Sequence, residues 1–190
     1  MAAVIPFALR AGELLLDSPT RDDVEAITGY CSEPLFERFM TTPWPYTRAH
    51  AERFVDRIVP DGWASGRELT WAIREGDGGP LLGAICLRDR GPEAADLGFW
   101  LGAPHRGRGL MKAAVTAVSR WALDLGGWQR VLWETQLGNV ASASVARAAG
   151  FRFLGEDPSH VPGRHGEPVP SWHGELGAAD SSSPKTGWPL

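Results

Sequence analysis

The chain has little of what would mark it as secreted, membrane-bound or nucleic-acid-binding. Only two cysteines occur in 190 residues. Cys31 and Cys86 lie far apart, without the second pair that a metal knuckle needs or the density of a disulfide scaffold, so both read as reduced thiols. No run reaches the roughly 18 apolar residues of a membrane span, and Met1 to Leu9 lacks the basic start and the length of a secretory signal. A cytoplasmic protein without a membrane partner is expected. Basic runs are missing as well: 19 Lys and Arg stand against 23 Asp and Glu, a net charge of −4, which gives no general attraction to a polyanion and argues against nucleic acid as a partner. Neither G-x-G-x-x-G nor G-x-x-x-x-G-K-[ST] occurs, which removes the usual dinucleotide and nucleoside-triphosphate loops. No internal repeat is visible.

What is present suffices for one domain with its own core, since 43% of the residues are hydrophobic. Leu14 to Leu16 reads as a strand, followed by a turn at Asp17-Ser18-Pro19 and a helix capped by Thr20. Pro34, Pro43, Pro45 and Pro60 break the region 31–63 into short helices, the clearest being Thr47 to Ile58, and this segment reads as a substrate-side flap. Leu69 to Arg74 and Leu81 to Leu87 form a hairpin around Gly76-Asp77-Gly78-Gly79-Pro80, and Ala95 to Leu101 completes an antiparallel meander. From Leu110 the apolar period becomes helical, through Ala113, Ala114, Ala117, Val118, Trp121, Ala122 and Leu125, until Gly126-Gly127 stops it. Val131 to Thr135 is a strand, Asn139 caps a helix that ends at Gly150, and Phe151 begins another strand. The order implies an α/β domain over residues 1–176, a mixed sheet with helices packed on it. Residues 177–190, rich in serine and proline, read as a disordered tail.

Arg106-Gly107-Arg108-Gly109 lies between a strand end and the start of the long helix. Glycines allow close approach of the main chain, a helix start offers unpaired N–H groups, and the macrodipole adds partial positive charge, so a pyrophosphate would be well received there. Arg106, Arg108 and Lys112 add cations. With nucleotide loops absent, coenzyme A is the obvious pyrophosphate carrier.

Three pieces then occur in order: Asp96-Leu97-Gly98-Phe99-Trp100-Leu101, the loop Arg106 to Gly109, and Asn139-x-x-Ser142-x-x-Val145 with Gly150-Phe151. Together they make the chain, over about Leu14 to Phe153, resemble the GNAT acetyltransferases, and in particular the RimJ/RimL-like branch that contains the ribosomal-protein N-terminal acetyltransferases. Met111 departs from the small residue usual at the end of the loop, and is expected to affect packing more than phosphate binding.

The resemblance implies the GNAT fold, a mostly antiparallel sheet splayed between its fourth and fifth strands with helices on both faces, and acetyl-CoA as co-substrate. The pantetheine arm would lie in the gap between Gly98–Leu101 and Trp133–Gln136, with a free N–H near Phe99, Trp100 and Leu101 facing the thioester oxygen. Arg106, Gly107, Arg108, Gly109, Leu110 and Met111 would hold the pyrophosphate. The tyrosine that protonates the leaving thiolate in many members is replaced by Ala146, which leaves Ser142 for the sulfur and Asn139 for the arm, although Asn139 also reads as a plain N-cap.

Only a neutral amine is nucleophilic, so a base is needed, and the candidates are Asp96 and Glu134. His105 reads as a phosphate contact. His160, His165 and His173 are irregularly spaced, and no metal is expected. Trp121 and Trp133 read as core, whereas Trp44, Trp63 and Trp100 could wall an acceptor site. Direct transfer in a ternary complex follows, because no cysteine lies at the proposed centre. A protein or peptide N-terminal α-amine is the first reading of the acceptor. A polyamine or aminoglycoside, or a non-catalytic acyl-CoA sensor, remains open, as does a homodimer paired through C-terminal strands.

Overall fold

The computed structural model describes residues 4–190. In chain order its elements are β1 (Leu9–Ala11), β2 (Leu14–Asp17), α1 (Val24–Cys31), α2 (Pro34–Phe39), α3 (Arg48–Arg53), α4 (Val59–Ser65), β3 (Glu68–Glu75), β4 (Leu81–Asp89), β5 (Ala94–Leu101), α5 (Leu110–Asp124), β6 (Arg130–Gln136), α6 (Val140–Ala148), β7 (Arg152–Pro158) and β8 (Pro170–Gly177). Among the described residues the eight strands form one sheet in the order β1-β2-β3-β4-β5-β6-β8-β7. Every neighbouring pair is antiparallel except β5 and β6.

Strand alternation sorts the side chains onto two faces. Leu69, Trp71, Ile73, Ile85, Leu87, Leu97, Val131 and Trp133 point to the face covered by α5 and α6 and make the main core. Ala72 and Leu81 point the other way and pack under α1, α2 and α3 with Phe36, Tyr46 and Val55. On the first face Phe7, Trp63, Trp71, Trp121 and Trp128 form a chain of aromatic contacts, with Trp63 and Trp71 edge-on at 5.1 Å. The two buried indole N–H groups of that pair donate to Thr70 O and Phe7 O, which satisfies their polar ends. Trp63 is therefore core and not acceptor wall.

Four features differ from the sequence reading. The strand at Leu14 has a partner, β1, joined through Gly12 at φ 64°; three residues are too few to show a period. Pro60 does not end the flap helix, because Phe54–Ile58 winds as a wider π-helical segment between α3 and α4; Pro60 falls in the first turn of α4, where the missing N–H is tolerated. The buried side of α5 is carried by Met111, Ala114, Val115, Val118 and Ala122, while Leu125 is exposed. The apolar period thus ran one residue past the helix. Finally, the segment after Gly177, read from composition as a disordered tail, lies against the body. Trp188 packs on Trp133 and Phe153 at 5.4 and 5.3 Å, Arg120 donates to Asp180 O and Ser182 Oγ, and Ser181 O passes where a Cβ on Gly150 would sit. One aromatic anchor outweighs the polar average there.

A buried ion group ties the start of α1 to the sheet. Arg74 on β3 donates to both oxygens of Asp23 at 2.8 and 2.7 Å, and to Asp17 at 2.8 Å. Burial pushes the Asp23 carboxyl up, but hydrogen bonds from Arg74 and Thr20 and the guanidinium charge outweigh it and hold it below the usual carboxylate range.

Candidate active site

β5 and β6 are paired from Ala94↔Arg130 to Leu97↔Trp133 and then separate. Beyond that point β5 keeps β4 as its partner and β6 keeps β8, so the sheet opens at Gly98 and Glu134. The gap is thus one residue shorter on β6 than expected, since Trp133 is still paired. Gly102 N donates to Leu82 O, and N–H direction alternates along a strand. Trp100 and Gly98 therefore face β4, whereas Phe99 and Leu101 face the opening. The Leu101 carbonyl there accepts from Arg106 Nε at 2.9 Å. Phe99 presents an N–H to the cleft.

A cavity of about 680 Å³ fills this opening, lined on one side by the loop before α5 and the start of α6, and on the other by α2 and the sheet face. Gly107 and Gly109 have φ of 77° and 78°, and a Cβ on either would meet nothing. Glycine is needed for conformation and not for space. Gly109 is the N-cap of α5, with no side-chain cap and no acid in the first turn. The first intrahelical bond is Ala113 N to Gly109 O, which leaves the N–H groups of Leu110, Met111 and Lys112 unpaired at the mouth of the cleft. Met111 itself is buried in the core, in keeping with a packing role.

The cations of the loop are less free than their spacing suggested. Arg106 Nη2 bonds Glu33 at 2.8 Å, and Ala103 N donates to the other Glu33 oxygen, so Arg106 fastens the α1–α2 junction to the loop. Arg108 is paired with Glu75 and does not line the cavity, whereas Lys112 does. His105 Nε2 lies 2.8 Å from the Tyr30 hydroxyl, edge-on to that ring, and is a packing contact. Nothing in the local sequence pairs position 33 with 106; that contact depends on the tertiary fold.

At the other wall, Asn139 caps α6. Its Oδ1 accepts from Ser142 N at 3.2 Å, which is the cap, and its Nδ2 donates to Thr135 Oγ1 at 2.8 Å, which uses one of the two N–H donors of the amide. Ser142 Oγ accepts from the buried Trp133 Nε1 at 3.1 Å. Its own proton remains for a second acceptor in the cleft.

Asp96, Gly98 and Trp100 share one sheet face with Glu134. Both carboxylates already have partners. Asp96, almost fully buried, bonds Arg88 Nε at 3.0 Å and lies 3.6 Å from Arg90. Glu134 accepts from His160 N and Val161 N, each at 2.8 Å, and its Oε2 lies 3.1 Å from His160 Nδ1. Cys86 lies between Thr70 and Gly98 in the sheet registers; burial pushes its thiol up to about 12, which makes it a poor nucleophile. Arg88, whose guanidinium lies across Gly98, and Phe36, Phe39 and Met40 on the flap were not singled out by sequence. They carry no motif and gain meaning only when the flap folds over the sheet. Trp100 lines the cleft, edge-on to Phe36 at 5.6 Å, whereas Trp44 lies beside Arg164. Arg164, in the β7–β8 connection, donates to the carbonyls of Phe36, Glu37 and Met40, each at 2.9 Å.

Solved structures share this fold. RimL, a ribosomal α-N-protein acetyltransferase in complex with coenzyme A, aligns at a TM-score of 0.76 and 18% identity over 90% of this chain and 98% of its own. The microcin self-immunity acetyltransferase MccE, in complex with acetyl-CoA and AMP, aligns at 0.77 and 18% over 92% and 98%. RimJ from Mycobacterium smegmatis, with a CoA disulfide, aligns at 0.75 and 18% over 91% and 87%. No curated protein matches the sequence. The acetyltransferase (GNAT) domain model matches residues 13–152, which takes in the meander, the glycine loop and the Asn139 helix. The chain belongs to the GNAT acetyltransferases, and is an acyl-CoA-dependent acetyltransferase.

Proposed function

We propose that the enzyme transfers an acetyl group from acetyl-CoA to the N-terminal α-amine of a peptide or protein, by direct attack in a ternary complex. The observation that carries this reading is the acceptor side of the cleft, an apolar wall of Phe36, Phe39, Met40, Phe54 and Trp100 beside Asp96 and Glu134, which already have fixed partners, with Glu68 as the lining carboxylate that has only Thr70 Oγ1, at 3.4 Å, as a partner. A polyamine or aminoglycoside brings several cations and suits unpaired acids, whereas a peptide brings one amine and an apolar first side chain. The base requirement agrees. An α-amine has a pKa near 8, against above 10 for lysine, so an appreciable neutral fraction exists near pH 7. A carboxylate acting through a water then suffices, and Glu134 or Asp96 could serve.

In this reading the pyrophosphate is held at the start of α5 by the unpaired N–H groups of Leu110 to Lys112. The pantetheine arm lies along the open edge of β5, within reach of Phe99 N–H. That N–H would bond the thioester oxygen as it gains charge, a contribution of about 3–4 kcal/mol where one such donor has been removed elsewhere. As the carbon–sulfur bond breaks, the Ser142 hydroxyl donates to the thiolate.

Acetyl-CoA turnover should be measured with peptides of varied first residue, an Nα-blocked peptide with a free lysine, a polyamine and an aminoglycoside. Free N-terminal peptides with an apolar first residue should be acetylated, and the blocked peptide should not. Faster turnover of the polyamine or aminoglycoside would overturn the acceptor assignment. Tight CoA binding without turnover of any amine would favour a sensor.

A further inference from the structure

Glu134, His160 and His173 come from three separate segments: β6, the connection after β7, and β8. Their ligand-type atoms all lie within 4.8 Å of one another. Glu134 Oε2 is 3.1 Å from His160 Nδ1 and 3.7 Å from His173 Nδ1. In a regular tetrahedron built on zinc bonds of about 2.0–2.1 Å, ligand atoms are about 3.3–3.4 Å apart. The two Glu134–imidazole distances bracket that spacing, and the remaining edge, from His160 to His173, is no longer than 4.8 Å.

The hydrogen bonds around it settle which nitrogen is available. His173 Nε2 lies 3.1 Å from the Asp157 carbonyl, which can only accept, so the ring carries its proton on Nε2. In that tautomer His173 Nδ1 faces Glu134 Oε2 at 3.7 Å, beyond hydrogen-bond distance. A ring nitrogen fixed by a backbone carbonyl on one side, with its lone pair aimed at a carboxylate on the other, is the outer support that metal-binding histidines have. Glu134 is fixed in the same way, by the N–H groups of His160 and Val161. His173 is buried and Glu134 partly buried, while the His160 side chain is 69% exposed and gives an entry path. Beside the cluster is a cavity of about 190 Å³, also lined by Arg90, Asp96 and Leu154, with room for a water as fourth ligand. The charged groups facing it, Asp96 and Arg90, are paired with each other.

We propose that Glu134, His160 and His173 bind a borderline divalent transition metal such as Zn²⁺, through one carboxylate oxygen and two imidazole Nδ1 atoms. Two nitrogens and one carboxylate oxygen suit Zn²⁺, Co²⁺ or Ni²⁺ better than Mg²⁺ or Ca²⁺. The ion staples β6 and β8 to the 159–169 connection, whose Arg164 grips α2. Metal occupancy therefore stiffens one border of the acceptor side of the cleft. Glu134 held in this way is a ligand, which leaves Asp96 as the carboxylate for amine deprotonation.

The test is calorimetric titration of Zn²⁺ into tag-free, chelator-stripped full chain, with Co²⁺ followed in parallel by its visible absorption. One equivalent should bind, and Co²⁺ should give the intense bands of a four-coordinate ion. His173→Gln and His160→Gln should each weaken Zn²⁺ binding at least tenfold while CoA affinity is unchanged, which shows that the fold is intact. Should His173→Gln fail to fold, the exposed His160 decides alone. Absence of one-to-one binding in the native chain, or native Zn²⁺ affinity in His160→Gln, overturns the proposal.

Discussion

Replacing Ser142 by alanine separates two roles that meet on one oxygen. The hydroxyl accepts from Trp133 Nε1 at 3.1 Å, and its free proton is directed to the thiolate in the proposed mechanism. Loss of the acceptor leaves a buried indole N–H unpaired, at a cost of about 1–3 kcal/mol. For a chain of this length that corresponds to about 2–4 °C in Tm per kcal/mol. Loss of the donor removes a hydrogen bond to a charged group, about 1.5–3 kcal/mol, and since that charge develops only as the bond breaks, the loss should fall on kcat, by about ten- to a hundredfold. Trp133 Nε1–H also polarises the hydroxyl and strengthens it as a donor. Three measurements divide the effects: Tm, CoA affinity by calorimetry, and kcat with any acceptor that turns over. Ser142→Thr keeps the hydroxyl and should recover most of kcat. A lower Tm with native kcat in Ser142→Ala would refute the donor role and leave Ser142 as the partner of Trp133 alone.

Gly109→Glu places a side chain at φ 78° and a negative charge at the uncapped start of α5, so CoA should bind at least tenfold more weakly, about 1.4 kcal/mol; native affinity in a folded variant would remove the loop from the CoA site. Asp23, held below its usual range beside Arg74, stabilises the fold above the carboxyl's unfolded pKa of about 3.9 and loses that contribution as pH falls through its lower folded value. Urea midpoints at pH 6 and pH 3 should therefore fall further apart in the native chain than in Asp23→Asn, and equal falls would show that the ion pair does not contribute.

Much of this site was legible because local rules agree with the fold. The glycine pair before α5 needs positive φ, the Asn139 cap marks the start of α6, and the period change at Leu110 separates sheet from helix. What sequence could not give was partner choice. Arg106 and Arg108 look like phosphate ligands by spacing, yet Glu33 and Glu75 reach them from 73 and 33 residues away. His160 and His173 look irregular along the chain because β7 and β8 are antiparallel, and it is β6 that supplies Glu134 between them. The flap was misread at Pro60 because the π-helical turn that carries the chain from α3 into α4 has no signature of its own.

The grip of Arg164 on α2 constrains how acceptor preference can be transplanted. Three carbonyls at the end of one helix are held by a guanidinium that enters the sequence more than 120 residues later, so the two borders of the acceptor cleft form one mechanical unit. A chimera that imports residues 31–66 from a relative without residues 157–171 would leave helix-end carbonyls without their donor and the connection without its seat. Acceptor range in such enzymes is therefore inherited through two distant stretches that must change together, and a designer who grafts only the flap should expect a looser cleft in place of a new preference.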